Sequence, residues 1–318
     1  RRESKLDKIS VLMSVYNENE HELMLAVNSI LNQTYEEFEF IIVCDNPLNQ
    51  RMVEIVYRIA EMDSRIKIVM NNRNVGLALS MNHGFEFATG NIIARMDADD
   101  ISFPDRFEKQ VECLNNSSYD LVWTSYIYID ENGKEQDDQV QIYSDSDVNK
   151  ILPLKNIVHH PTVMMKRDAF VKAGLYRNFP CAQDYDLWLR MLCCGCKIHM
   201  MPENLLYYRV RNMSTTNRKK YQQLCTLNYI RKLYTERCKN GIDTYSYDSY
   251  LKDMERKGVG NRKIEDQFFK ANYIISQSKK NLKKHNYAMA INGYIKAFII
   301  SKAYRKQLLL LIKRKLGR

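Results

Sequence analysis

The chain has 318 residues, 45% hydrophobic and 27% charged, enough to bury a full core in one large domain or two. No apolar run is long enough to cross a bilayer, the longest late one being Leu308–Ile312. Eight Cys in a chain of this length do not make a disulfide framework, which excludes a small secreted scaffold. With no recognisable signal peptide after the opening Arg1-Arg2, a reduced, cytoplasmic setting is expected. The net charge of +10 is unevenly placed: residues 268–318 hold 13 Lys or Arg and no Asp or Glu, so the rest of the chain is close to neutral. An anionic partner surface is expected for the tail alone.

Taken in order, Ile9–Val15 reads as a buried strand and Tyr16–Glu20 as a polar turn. A helix follows with Leu23, Val27, Ile30 and Leu31 on one face, ended by Gln33-Thr34. Phe38–Cys44 is a second strand, with Asp45-Asn46-Pro47 turning at its carboxyl end. The next helix carries Met52, Ile55, Val56 and Ile59; Ile66–Met70 is a third strand; Asn71–Gly76 is a loop and Leu77–Ala88 a helix stopped by Thr89-Gly90. This alternation predicts a parallel α/β sheet, in which ligands sit beyond the carboxyl ends of strands. Ser14–Asn17, Asp45 and Asp97–Asp100 all fall at such ends. The first turn lacks the G-x-G-x-x-G fingerprint of dinucleotide binders.

The segment Asn91–Arg106, NIIARMDADDISFPDR, is a short buried strand running into a turn with three carboxylates in four residues. Alone, it reads first as a solvated acidic loop or a helix N-terminus with acidic first-turn residues, and otherwise as a site where a hard divalent cation meets one or two carboxylates and a diphosphate.

The chain up to about residue 215 resembles family 2 glycosyltransferases of the GT-A fold. The residues that carry the resemblance are SVLMSVYNENE at 10–20, SILNQTYEEFEFIIVCDN at 29–46, NRNVGLALSMNHG at 72–84, ATGNIIARMDADDISFPDR at 88–106, HHPTVMMKR at 159–167 and CAQDYDLWLRM at 181–191. In character it is nearest to bacterial enzymes that build capsule, O-antigen or exopolysaccharide. The resemblance implies transfer of a sugar, with inversion, from a nucleotide-diphosphate donor to a hydroxyl. It places Ser14 and Asn17 by the nucleotide, Asp45 at the uracil edge of a UDP-sugar, Asn74 and Gly76 in a loop lining the donor, Asp97 by the ribose or donor sugar, and Asp99 on a Mn²⁺ or Mg²⁺ ion. A carboxylate can accept the imide N–H of uracil, although an Asp at a strand end also closes Asx-turns. Cys44-Asp45 stands where many relatives have two Asp.

Asp184, in Gln183-Asp184-Tyr185-Asp186, occupies the family's base position. Displacement with inversion needs one base opposite the leaving group. Gln183 replaces the common Glu, removing a neighbouring charge that would raise the base's pKa; Asp186 reads as a helix N-cap. His160, after His159, is either an acceptor contact or a hydrogen-bonded turn residue. Arg209 and Arg211 match a segment where relatives often carry a His at the second position; an Arg cannot ligate a metal but can hold a diphosphate. Cys193 and Cys196 form a C-x-x-C without the setting of a redox or zinc site and read as small buried hydrophobes.

The organisation expected is a transferase domain at 1–218 and a helical, basic region at 219–318. In the latter, helices are predicted at Tyr221–Arg237, Gln267–Lys280, Tyr287–Tyr304 and Lys306–Leu316, with Gly241–Tyr250 a connection. The basic tail suits peripheral attachment through 268–318 to the anionic inner face of the cytoplasmic membrane, where lipid-linked acceptors reside; a solvated subdomain or an oligomer contact are the alternatives. Two other functions compete: a nucleic-acid binder gripping phosphates with the tail, which leaves the acidic strand ends unexplained, and a catalytically inactive relative, which the presence of Asp99 and Asp184 opposes.

Overall fold

The computed structural model describes residues 7–137, 139–210, 220–302 and 304–305. The chain divides into two compact units: residues 1–214 with 230–244, and residues 215–229 with 245–318.

The first unit is built on an eight-stranded sheet. Its first half follows the predicted alternation: β1 (Ile9–Val15), α1 (Glu20–Leu31), β2 (Phe38–Cys44), α2 (Gln50–Ala60), β3 (Ile66–Met70), α3 (Leu77–Glu86) and β4 (Ile92–Arg95). β1 and β2 are mainly apolar, apart from Ser10, Ser14 and Glu39, and almost wholly buried, as parallel strands covered by helices must be. α2 buries the predicted stripe of Met52, Ile55, Val56 and Ile59. α1 and α2 start on side-chain caps: Asn19 Oδ1 accepts from His21 N at 2.9 Å and Asn49 Oδ1 from Met52 N at 3.2 Å.

The second half adds β5 (Ile101–Ser102), α4 (Arg106–Asn115), β6 (Leu121–Ile129), α5 (Asp145–Ile151), β7 (Met164–Lys166), α6 (Arg167–Lys172) and β8 (Ile198–Arg209), which the sequence reading left undrawn, and α7 (Gln183–Cys193), which starts ahead of the helix expected after Asp186. The strand order is β3-β2-β1-β4-β7-β6-β8-β5. β1–β2, β1–β4, β2–β3 and β6–β8 pair in parallel; β7 runs antiparallel to β4 and β6, and β5 antiparallel to β8. The sheet is thus mostly parallel with an antiparallel insertion.

Near the amino end of β2, Glu39 is 2% exposed. Its Oε1 accepts from Ser10 Oγ and Thr89 N, each at 2.6 Å, and its Oε2 from Lys67 Nζ at 2.7 Å. Burial pushes this carboxyl up, but those donors outweigh it and hold it at about 2.

The second unit is helical. α8 (Lys220–Asn240) lends its first half to this unit and its second half to the other. α9 (Tyr247–Lys257), α10 (Arg262–Lys283) and α11 (Tyr287–Ile300) follow. Within the unit, Tyr250 OH lies 2.9 Å from Thr226 Oγ1 and Tyr221 OH donates to Lys257 O at 2.7 Å. The expected connection ends at Ser246, whose Oγ caps α9 by accepting from Ser249 N at 3.1 Å. α9 escaped notice because it buries only Tyr250, Asp253 and Met254, too narrow a stripe to read as a periodic face. The expected helix at Lys306–Leu316 lies outside the described residues. Among the described residues no helix is long and apolar enough to cross a membrane.

Candidate active site

Parallel register brings the carboxyl ends of β1, β2 and β3 to one edge, with Val15 opposite Cys44 and Cys44 opposite Met70. Ser14 is half-buried near the end of β1, and Asn17 is exposed just beyond it, its Oδ1 accepting from Asn49 Nδ2 at 3.1 Å. Asp45, 3% exposed, follows β2. Its Oδ1 accepts from Asn71 Nδ2 at 2.7 Å and Val75 N at 2.8 Å, and its Oδ2 from Gly76 N at 2.9 Å. Asp45 therefore orders the loop after β3 rather than closing a turn on its own backbone. A carboxylate has about four lone-pair sites, so one is left for a ligand. Gly76 opens α3 at φ +83°, with nothing within 4 Å of where a Cβ would stand. Only glycine holds this conformation without strain, and the space above it is open. Asn74 is exposed in the same loop.

The acidic turn leaves β4 and enters β5, which is pinned to β8 by Ile101 opposite Tyr207. Arg95, at the end of β4, is 2% exposed and its Nη2 donates to Asp97 Oδ1. Arg95 Nε and Nη1 are buried without a hydrogen-bond partner. Asp99 is half-buried. Asp100 is fully buried; its Oδ1 accepts from Arg209 N at 2.9 Å, and its Oδ2 has no partner. Burial, and then the charges of Asp97 and Asp99, push the Asp100 carboxyl well above the ordinary range. Asp100 braces the turn and caps no helix, since α4 begins after Asp105.

The expectation that Arg209 holds a diphosphate meets a different geometry. Its side chain is 2% exposed. Nε donates to Asp99 O at 2.9 Å, and Nη1 to Asp130 O at 3.1 Å and Glu131 O at 3.2 Å. Main-chain carbonyls of the turn and of the loop after β6 thus occupy the guanidinium, which makes Arg209 a positioning residue. Arg211 lies outside the described residues.

α7 starts from Ala182 at φ +57°, a left-handed conformation costing a residue with a Cβ roughly 1–2 kcal/mol. Asp184, in the first turn of α7, is half-buried and its Oδ2 accepts from Asn156 Nδ2 at 2.8 Å. Burial raises its pKa; the Asn156 bond and the N–H groups of Tyr185 and Asp184 offset part of the rise, and the charge of Asp97 adds to it. The charge removed at Gln183 is thus not what sets this carboxyl: burial dominates. Asp186 is no N-cap either. It lies buried 2.8 Å from Arg190 Nε, while Arg190 also donates to Ala173 O and, at 2.6 Å, to Leu175 O.

His160 is buried, with Nε2 2.7 Å from Tyr176 OH, which places it in the core rather than at an open acceptor face. Burial holds it neutral, far below its usual pKa. Its neighbour His159, unassigned from sequence, stacks on Tyr126 at 4.0 Å between centroids and meets Tyr208 edge-on at 4.3 Å. His159 Nε2 is buried without a partner. Burial holds this ring at about 4 while Asp97 pulls it upward. Glu18 was also missed. It accepts from Tyr16 N at 2.6 Å, and burial raises its carboxyl, with Asp97 adding to the rise. Glu18 and Arg95 stood inside the motifs quoted above, and His159 beside a named residue. Asn156 carried no signal at all.

Asp97 is therefore in electrostatic reach of Glu18, His159, Asp100 and Asp184. Among the described residues no group of three or more His, Cys, Asp or Glu is arranged to hold a metal by itself. A cation would fit at the Asp97–Asp100 turn only with oxygens from a ligand such as a diphosphate. The unpartnered Asp100 Oδ2 and the mutual repulsion of the three carboxylates are consistent with that donor set.

Two solved structures share the fold. One is the mannosyltransferase PcManGT from Pyrobaculum calidifontis in complex with GDP-Man and Mn²⁺, with a TM-score of 0.59 and 15% identity over 99% of this chain and 81% of that one. The other is S. aureus TarS 1-349 in complex with UDP-GlcNAc, with a TM-score of 0.62 and 15% identity over 94% of this chain and 92% of that one. The fold is GT-A. More specifically, the profile of glycosyl transferase family 2 matches residues 10–174, just over half of the chain, which belongs to that family. The O-antigen biosynthesis glycosyltransferase WbnJ of Escherichia coli is 37% identical over 213 residues, 66% of this chain and 82% of its own length.

Proposed function

We propose that the protein transfers a sugar, with inversion, from a UDP-sugar to a hydroxyl of a saccharide or lipid-linked saccharide acceptor in the synthesis of a cell-surface polysaccharide, and that residues 1–218 form the transferase domain. The observation that carries this reading is Asp184 in the first turn of α7, held by Asn156 and raised by burial with the charge of Asp97, the residue after β4 and Met96, adding to the rise. The similarity to an O-antigen enzyme supports the polysaccharide context.

In this reading Ser14, Asn17, Asp45, Asn74 and Gly76 receive the nucleotide, Asp45 through its remaining lone pair. Asp97 faces the donor sugar. Asp99 would hold a Mn²⁺ or Mg²⁺ ion, which, when bound, neutralises the diphosphate as a leaving group. Asp184 takes the proton of the acceptor hydroxyl as its oxygen attacks the anomeric carbon; the bond to the diphosphate breaks with its electron pair, and attack from the opposite face inverts the centre. Asn156 fixes the carboxylate, and the strained Ala182 sets the start of the helix that carries it.

The test is release of UDP from UDP-glucose, UDP-galactose and UDP-N-acetylglucosamine, with and without an oligosaccharide acceptor pool, by the wild type and Asp184→Asn. Acceptor-stimulated release by the wild type, lost in a variant that still binds UDP, is the expected result. Undiminished turnover by Asp184→Asn would remove Asp184 from the role of base.

A further inference from the structure

The helical hairpin of α10 (Arg262–Lys283) and α11 (Tyr287–Ile300) has two unlike sides. On α11, Ala290, Gly293 and Ala297 form a seam of small residues; the two Ala are buried, and a Cβ at Gly293 would stand 2.0 Å from Ser278 Oγ of α10. Only glycine permits that approach. The spacing of 3.6 residues per turn puts Ile291, Ile295 and Ile299 on the side opposite the seam. All three are more than half exposed. Tyr287 and Met289, at the start of the helix, are exposed as well, and so is Leu282 at the end of α10. Lys279, Lys280, Lys283 and Lys284, at the end of α10 and in the turn to α11, are exposed, as are Lys296 and Lys302 further along. The sequence has no acidic residue from Phe268 onward.

An apolar stripe opposed to a packed seam, with exposed lysines on both helices and no acid from Phe268 onward, matches a surface that is oily a few ångströms down and negatively charged at its face. We propose that α11 docks in the plane of an anionic lipid bilayer, with Ile291, Ile295 and Ile299 entering the acyl boundary and the α10–α11 lysines meeting the headgroups. At 14 residues, or roughly 21 Å, the helix is too short to span the hydrocarbon core, so it lies in the interface. Tyr287, an amphipathic ring at the helix start, is of a type enriched at headgroup level. The inference is independent of the transferase reading, because it uses no residue of the sheet edge.

Sedimentation of the full chain with vesicles tests it, without nucleotide or acceptor. Binding is expected to vesicles of phosphatidylcholine with 30% phosphatidylglycerol (a composition of about one anionic lipid in three, giving a negative surface potential) and to weaken in high salt. Ile295→Asp and, separately, Lys283→Glu with Lys284→Glu are each expected to lower the partition by about tenfold or more. A far-UV circular dichroism spectrum and thermal midpoint matching the wild type would show that these variants are folded. The proposal is overturned if the wild type does not bind the anionic vesicles or binds neutral ones equally. It is also overturned if light scattering shows a wild-type oligomer that Ile295→Asp converts to monomer, since the stripe would then be a contact between copies.

Discussion

Glu39 and Asp100 are both buried carboxylates of the same sheet, and burial alone would push both up. They move in opposite directions. Glu39, toward the amino end of β2, is surrounded by Ser10, Thr89, Lys67 and Lys8, and is held at about 2. Asp100, at the carboxyl edge, has one oxygen unpartnered and two carboxylates beside it, and is driven well above the ordinary range. The first arrangement is complete within the protein. In the second, the nearby charge of Arg95 does not offset burial and two acidic neighbours, a deficit that a cation with its diphosphate would make up, and Asp184 and Glu18 share its upward shift. Unsatisfied buried charge, rather than acidity as such, separates a functional edge from a structural one.

The contrast can be broken most forcefully at Asp184. Asp184→Asn is expected to lower kcat by about 10²–10⁴ while leaving UDP affinity near the wild-type value. Because burial raises the pKa of the wild-type base, the acidic limb of kcat/KM should lie above the ordinary aspartate value of 3.8, with activity falling as pH drops through it.

A second comparison pairs Glu39→Gln with Asp100→Asn. The folded pKa of Glu39 is depressed from 4.5 to about 2. Its contribution is therefore complete above the unfolded value and lost as pH falls from about 4.5 to about 2; it amounts to about 3 kcal/mol. Glu39→Gln should lose roughly that much at neutral pH in urea unfolding and flatten the acid limb of stability. Asp100→Asn should cost less, since its Oδ1 can still accept from Arg209 N, and should instead weaken nucleotide binding in the presence of Mn²⁺. Equal stability losses in the two variants would erase the distinction drawn between the two ends of the sheet.

The smallest effect concerns the loop that Asp45 orders. Gly76→Ala places a Cβ in open space but at φ +83°, so the penalty is conformational, about 2 kcal/mol by thermal unfolding. A larger loss would imply a contact above Gly76.

Strand and helix positions from Ile9 to Arg95 were legible because each strand is a short, mainly apolar run and the helices between them carry apolar stripes. The later strands were not drawn. β7 is three residues long, and β8 is interrupted by Pro202, Glu203 and Asn204 at its irregular pairing with β6. At the candidate site, Asp45, Asp97, Asp99 and Asp184 stood out as candidates because chemistry and motif point to them. Their supports could not: Asn71, Asn156 and His159 acquire meaning only when folding sets them against a carboxylate or a ring. The reverse happened at Arg209 and His160, whose side chains suit a ligand but which are buried against carbonyls and Tyr176.

The most direct test is calorimetric titration of UDP, GDP and CDP, each with Mn²⁺ and with chelator, into the wild type and Asp99→Ala. The account predicts Mn²⁺-dependent binding of UDP over the other two, weakened in the variant and by chelator. Failure of folded protein to bind any nucleotide, or binding indifferent to both Mn²⁺ and Asp99, would contradict the claim that the acidic turn completes its charge balance with a metal-bound diphosphate.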